Sequence, residues 1–212
     1  MEEIDEIGSQ ILKAVRKENP LIHNITNYVV MNYTANALLA FGASPIMAHA
    51  IEEVEEIVSM ARALVLNIGT LTKEWINSMI LAGEKASQLG IPIILDPVGS
   101  GATAFRTDSV KRIINKCKID VIRGNASEIL SLCHQGANTK GVDTIHSVED
   151  AMVPAKELAK ELQTTICITG PVDLVTDGDR VVRVSNGHEM MSLVTGTGCT
   201  ATAIIGAFLA YG

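Results

Sequence analysis

Residues 164–184 read TTICITGPVDLVTDGDRVVRV, and this stretch decides the fold. Its first seven residues are a short apolar run, rich in β-branched side chains, that stops at Gly170. A run of that length between turn residues suits a strand buried on both faces, as strands of a parallel sheet are. Beyond Gly170 the pattern changes. Two β-rich arms flank Asp177-Gly178, the signature of a tight hairpin, so one antiparallel ribbon follows the parallel part.

Working outward, the runs ALVLNIG (63–69), IPIILDP (91–97) and DVIRG (120–124) repeat the first pattern. Between such runs lie segments of helical spacing: Ile4, Ile7, Ile11, Leu12 and Val15 share one face, and Ile51, Val54, Ile57, Val58 and Ala61 another. Short buried strands alternating with helices predict an α/β fold, a mostly parallel central sheet flanked by helices with an antiparallel ribbon near the C-terminal part. Pro154 falls inside the helical pattern of residues 147–162, so that helix is expected to kink or to begin later than the Ser147 cap suggests.

A chain of 212 residues that is 47% hydrophobic buries a sizeable core, and with aromatics at 3% that core is aliphatic. A net charge of −7 and the lack of any Lys/Arg cluster with interleaved aromatics speak against a nucleic-acid partner. The acidic start, MEEIDEIG, is unlike a signal peptide, and no apolar run approaches the ~18 residues a membrane span needs, so the expected location is cytoplasmic and no membrane partner is expected. Cys117, Cys133, Cys167 and Cys199 are far apart, which supports neither a zinc cluster nor a disulfide framework. His49, His134, His146 and His188 lack metal-ligand spacing and are expected to be surface or structural residues.

Ligands of an open parallel sheet bind beyond the carboxyl ends of its strands. Those ends give Asn67 and Gly69, Asp96 with Gly99 and Gly101, Arg123 with Asn125 and Glu128, Thr169 with Gly170, and the turn Gly196-Thr197-Gly198-Cys199. Two glycines at a helix start leave backbone N–H groups open to an anion with the helix dipole behind them, although the same pair also makes a plain tight turn. Asp96 and Glu128 suit Mg²⁺ and Arg123 suits phosphate oxygens. Taken singly, Asp96 is equally a turn former, Glu128 a helix-start partner and Arg123 a surface ion pair. Together, an anion hole of Gly196, Thr197 and Gly198, two carboxylates and an arginine are the components of Mg²⁺-dependent phosphoryl transfer.

The segments NPLIHNITNYVVMNYTANALLAFGASPIMAHA, LDPVGSGATAFRT, IRGNASEI, ITGPVDLV and VTGTGCTATA resemble hydroxyethylthiazole kinase of thiamine salvage, a ribokinase-like family, from about Asn19 to the end of the chain. The resemblance implies residues 1–212 as one ribokinase-like kinase domain, ATP as cosubstrate, Mg²⁺, a thiazole alcohol as substrate, and a homotrimer with sites where subunits meet. By motif it implies substrate contacts at Met47 and Gly196, nucleotide contacts at Arg123 and Thr169, an acidic metal pair of Asp96 and Glu128, and Cys199 as the catalytic group beside the alcohol. From the residues alone Met47 reads as core, and HNITN (23–27) either caps a helix over residues 28–41 or lines the thiazole pocket through Asn24. The helix N-terminus is expected to lower the Cys199 pKa. The family continues past the final Gly212, so a chain truncated at its C-terminal end is expected, with apolar faces of residues 200–209 open to water. Other ribokinase-like enzymes, namely a hydroxymethylpyrimidine or pyridoxal kinase or a nicotinamide-hydrate dehydratase, and a non-catalytic thiazole carrier are the alternatives; the enzymes normally carry Asp where Cys199 stands.

Overall fold

The apolar runs become strands. In this computed structural model, which describes residues 2–133 and 147–211, they form β3 (Ala63–Asn67), β4 (Ile93–Asp96), β5 (Val121–Asn125) and β6 (Thr165–Thr169). β1 (Leu21–Ile25) and β2 (Ser44–Ile46) precede them, and the ribbon β7 (Asp173–Thr176) and β8 (Val181–Val184) follows. One sheet has the order β2-β1-β3-β4-β5-β6-β7-β8, parallel through β6 and antiparallel from β6 to β8.

Every residue of β3 is buried, because each face of that strand meets its own core. Leu64 and Leu66 point into a layer with Trp75, Ile76 and Met79 of α4 (Lys73–Leu89) and Val110 and Ile113 of α5 (Ala104–Lys116). Ala63 and Val65 point the other way, against Val15 of α1 (Glu2–Glu18), Leu38 of α2 (Met31–Phe41) and Ala203 and Ala207 of α8 (Thr197–Leu209). Period-two alternation within a continuous apolar run thus feeds two helical layers. α3 (Val54–Met60), α6 (Ala126–Leu130) and α7 (Val148–Leu162) add to the first layer.

Four sequence expectations need correction. The segment HNITN caps no helix: His23 and Asn24 lie inside β1, and α2 begins at Met31 after Val30, with no side-chain cap. The later start expected for the helix with Pro154 is not found: it begins at its cap, since Ser147 and Asp150 form a reciprocal capping box and Ala151, Ala155 and Leu158 anchor it in the core, with Pro154 kept inside the helix. Met47 belongs to neither core cluster; it is half-buried and follows β2. Residues 200–209 include no exposed position, because α8 packs on β1, β3 and β4 and is flanked by α1 and α2. His134 and His146 lie outside the described residues. His188 is structural: its Nδ1 accepts from the Met190 N–H at 3.2 Å, capping a 3-10 turn over Glu189–Leu193.

Candidate active site

Parallel pairing brings the carboxyl ends of β1 to β6 to one edge of the sheet, and α8 starts above that edge. Its N-cap, Gly196, has φ +86°, and a Cβ there would stand 2.5 Å from Val30 Cγ1, so both backbone and neighbour require glycine. The first helical bond runs from Thr200 N to Gly196 O at 2.9 Å, and no side chain caps the start. The N–H groups of Thr197, Gly198 and Cys199 therefore have no acceptor within the helix. Gly198 has a different reason for its identity: a Cβ there would meet Arg123 Nη1 at 2.9 Å. The guanidinium thus lies against the helix mouth, adding a full positive charge to the dipole. Thr197 contributes only its backbone to this mouth, since its Oγ1 turns back to Met191 O and Val194 O.

Beneath the mouth lies a buried polar network. Asp96, ending β4, accepts at Oδ2 from Asn67 Nδ2 and from Thr202 Oγ1 of α8, each at 2.9 Å. Asn67, ending β3, accepts at Oδ1 from Asn27 Nδ2 at 2.8 Å and from the Gly69 N–H at 3.0 Å. Asn27 Nδ2 also donates to Cys199 Sγ at 3.5 Å. Burial raises the Asp96 carboxyl to about 6 against the pull of Arg123. The Cys199 thiol is raised too, by burial first and then by the Asp96 charge, while the amides of Asn67 and Asn27 and the Arg123 charge oppose the shift. The expected lowering at the helix N-terminus is overturned: desolvation of a half-buried sulfur outweighs the donors around it.

Glu128 takes two parts at once. As third residue of α6 it closes a capping box with Asn125, its Oε2 accepting from Asn125 N at 2.8 Å. Its Oε1 accepts from Gly99 N at 2.7 Å, which ties the 97–102 loop to α6. Each oxygen keeps a second lone pair. Among the described residues no group of three or more His, Cys, Asp or Glu side chains gathers to hold a metal. Asp96 and Glu128 are hard oxygen donors that fit Mg²⁺ only as a partial set completed by water and phosphate oxygens, the usual arrangement for that ion.

The remaining predicted residues sort along the sheet. Met47, after β2, and Asn27, after β1, stand on one side of the mouth. Arg123 in β5 and Thr169 at the end of β6 stand on the other, with Thr169 Oγ1 donating to Gly124 O at 3.3 Å. Asn24 sits lower, inside β1, fully buried, its Nδ2 donating to Ile22 O at 2.8 Å and its Oδ1 unpartnered. Sequence reasoning missed Asn27 as a contact of Cys199 and missed Thr202 altogether; the i, i+3 spacing of Cys199 and Thr202 on one helix was the available signal. It also missed Arg106 of α5, whose guanidinium donates to the carbonyls of Ile68, Gly69 and Val98 at 2.7 to 3.0 Å and so clamps two site loops together.

An eight-stranded sheet of this order, with helices packed on it and a helix mouth over its strand ends, has the ribokinase-like α/β fold. Pyridoxal kinase of Bacillus subtilis shares the fold, with a TM-score of 0.68 at 16% identity over 91% of this chain and 84% of that one. Residues 12–212 match the model of the hydroxyethylthiazole kinase family, and the chain belongs to that family. A hydroxyethylthiazole kinase of Desulfotalea psychrophila is 62% identical over 210 residues, 99% of this chain and 77% of that protein. The structure of a hydroxyethylthiazole kinase from Pyrococcus horikoshii superposes with a TM-score of 0.87 at 50% identity, covering 96% of this chain and 76% of that one. Among the described residues no helix is long and apolar enough to cross a membrane.

Proposed function

We propose that this chain transfers the γ-phosphoryl group of ATP, with Mg²⁺, to the primary alcohol of 4-methyl-5-(2-hydroxyethyl)thiazole in thiamine salvage, in the cytoplasm and as a homotrimer. The observation that carries the reading is the position of the helix mouth. Gly196 to Cys199 open between Met47 on one side and Arg123 and Thr169 on the other, so a thiazole on the first side faces a nucleotide on the second. The free N–H groups of residues 197–199 then hold the transferring phosphoryl group, and charge delocalised over its oxygens is met by fixed donors rather than by reorganising water.

Arg123 pairs with phosphate oxygens and Thr169 holds the nucleotide. Met47 and Gly196 bound the thiazole side, where the unpartnered Oδ1 of Asn24 supplies one further acceptor. Asp96 and Glu128 would hold Mg²⁺ through oxygens and water, and when bound the ion neutralises phosphate charge. The thiolate form of Cys199, a small fraction because its pKa is raised, receives the alcohol proton on Sγ. Because a loose transition state develops charge on the alcohol late, that small fraction suffices for the role. Incubation with ATP, Mg²⁺ and a panel of primary alcohols (the thiazole, hydroxymethylpyrimidine, pyridoxal), read by mass spectrometry, tests the reading. A phosphate mass added selectively to the thiazole is expected; preference for another alcohol, or none phosphorylated, overturns it.

A further inference from the structure

Cys199, Asn27, Asn67, Asp96 and Thr202 form a chain of hydrogen bonds that leaves α8 at its first turn and returns to it three residues later. One member of this chain has no rotational choice. The backbone N–H of Gly69 donates to Asn67, so the atom facing it is Oδ1 and the Nδ2 of Asn67 faces the Asp96 carboxyl, an orientation both neighbours demand. Asn27 meets that same Oδ1 and must present Nδ2. The two N–H bonds of this one nitrogen then serve Asn67 and Cys199, and the sulfur is left as acceptor.

We propose that Asn27 and Asn67 are positioning residues for Cys199: Asn27 holds an N–H on the sulfur, and Asn67 fixes the Asn27 amide in the orientation that allows it. The polarity runs outward from the fixed Gly69 N–H and ends at Sγ, so the side of the sulfur away from Asn27 faces the incoming alcohol. The charged groups that bear on the sulfur are Asp96 of β4, which disfavours the thiolate, and Arg123 of β5, which favours it. The Asn27 donor adds to the Arg123 side without a further charge. Thr202 completes the chain by donating its one hydroxyl hydrogen to Asp96 at 2.9 Å, with the Gly198 carbonyl as a second, longer acceptor at 3.2 Å, which pins the first turn of α8 over the strand ends. This inference rests on Cys199 as the group facing the alcohol.

The test is the rate at which iodoacetamide alkylates Cys199 at fixed pH, located by mass spectrometry of the peptide that contains it, without ATP or thiazole. Asn27→Leu and Asn67→Leu, near in size to asparagine, are each expected to slow alkylation about tenfold, the loss of one hydrogen bond to a thiolate. The double variant is expected to fall short of the product of the two single losses, because Asn67 acts on the sulfur partly through Asn27 and partly through its own amide. The kcat for the thiazole alcohol is expected to fall in step. Wild-type alkylation in either single variant, or losses that multiply in the double, would overturn the proposal. Should the leucine variants fail to fold, Asn27→Asp keeps the shape and offers the sulfur only acceptors; it must slow alkylation at least as much, and an unchanged rate overturns the inference. Because alkylation needs no substrate, a thiazole that stays unphosphorylated while this pattern holds would remove the kinase reading and leave the positioning role standing.

Discussion

At the scale of single residues, opposing physical effects meet on two side chains. The Cys199 sulfur is pushed toward the protonated form by burial and Asp96, and toward the thiolate by Arg123 and two amides. General-base assistance is worth 10²–10⁴-fold, and a mostly protonated thiol supplies the lower part of that range. Cys199→Ala is therefore expected to lower kcat about 10²-fold with little change in ATP binding. Cys199→Asp, ionised at neutral pH and met by the Asn27 N–H, is expected to keep or raise kcat. Steady-state kinetics with melting temperatures decide the matter; a silent alanine with an inactive, unstable aspartate would make Cys199 a packing residue. His23 is fully buried and donates from Nε2 to Ala48 O at 2.7 Å, so its buried, unpartnered Nδ1 is the bare nitrogen. Burial lowers its pKa from 6.5, opposed by the bond to Ala48. The unfolded chain then binds a proton more readily than the native one, so stability is complete above pH 6.5 and falls as pH drops below it. His23→Gln is expected to flatten that acid limb in melts across pH; an unchanged slope would assign the loss to other groups.

At the scale of elements, the start of α8 is the point of greatest constraint. Gly196 sits in the left-handed region and its missing Cβ makes room for Val30 of the α2 entry. Gly196→Ala is expected to cost about 1–3 kcal/mol, from backbone strain and from moving α2. A lower melting temperature measures it, and an unchanged one would show that the helix start relaxes freely. The glycine pair was visible in the sequence, and the structure places it at the start of α8. The missed elements failed for opposite reasons. β1 carries His23 and Asn24 in its middle, so LIHNI lacks the apolar run that marks a buried strand, and only burial of both polar side chains in the fold reveals it. β2 is three residues long and contains Pro45, which a sheet tolerates because this strand lies at its edge.

At the scale of the molecule, the two halves of the proposed site lie on different strands of one sheet, so binding at either side is expected to stabilise the whole. ATP with Mg²⁺ at a hundred times its dissociation constant is expected to add about 2.7 kcal/mol, or roughly 5 to 10 °C in melting temperature. Arg123→Ala is expected to remove most of that shift while leaving any shift caused by the thiazole, since a guanidinium pairs with phosphate and finds no anion on a neutral ring. An ATP shift that survives the substitution would take Arg123 out of the nucleotide site.

The sequence by itself determined the class of fold and the edge of the sheet where the candidate residues gather. Both follow from local pattern: apolar runs of strand length, helical spacing between them, and glycines where a helix must open. It also supplied Asp96, Arg123, Glu128, Thr169, Gly196 and Cys199 as candidates, because each stands at or near a strand end or helix start that those patterns mark. Only the tertiary structure decided how they act on one another. Asn27 and Cys199 are separated by 172 residues and Asp96 and Thr202 by 106, so their contacts depend on which strands are neighbours and where α8 lands. The same holds for the Cys199 pKa. The local cue of a helix N-terminus pointed downward, and burial beside Asp96, a property of the packed sheet, reversed the sign.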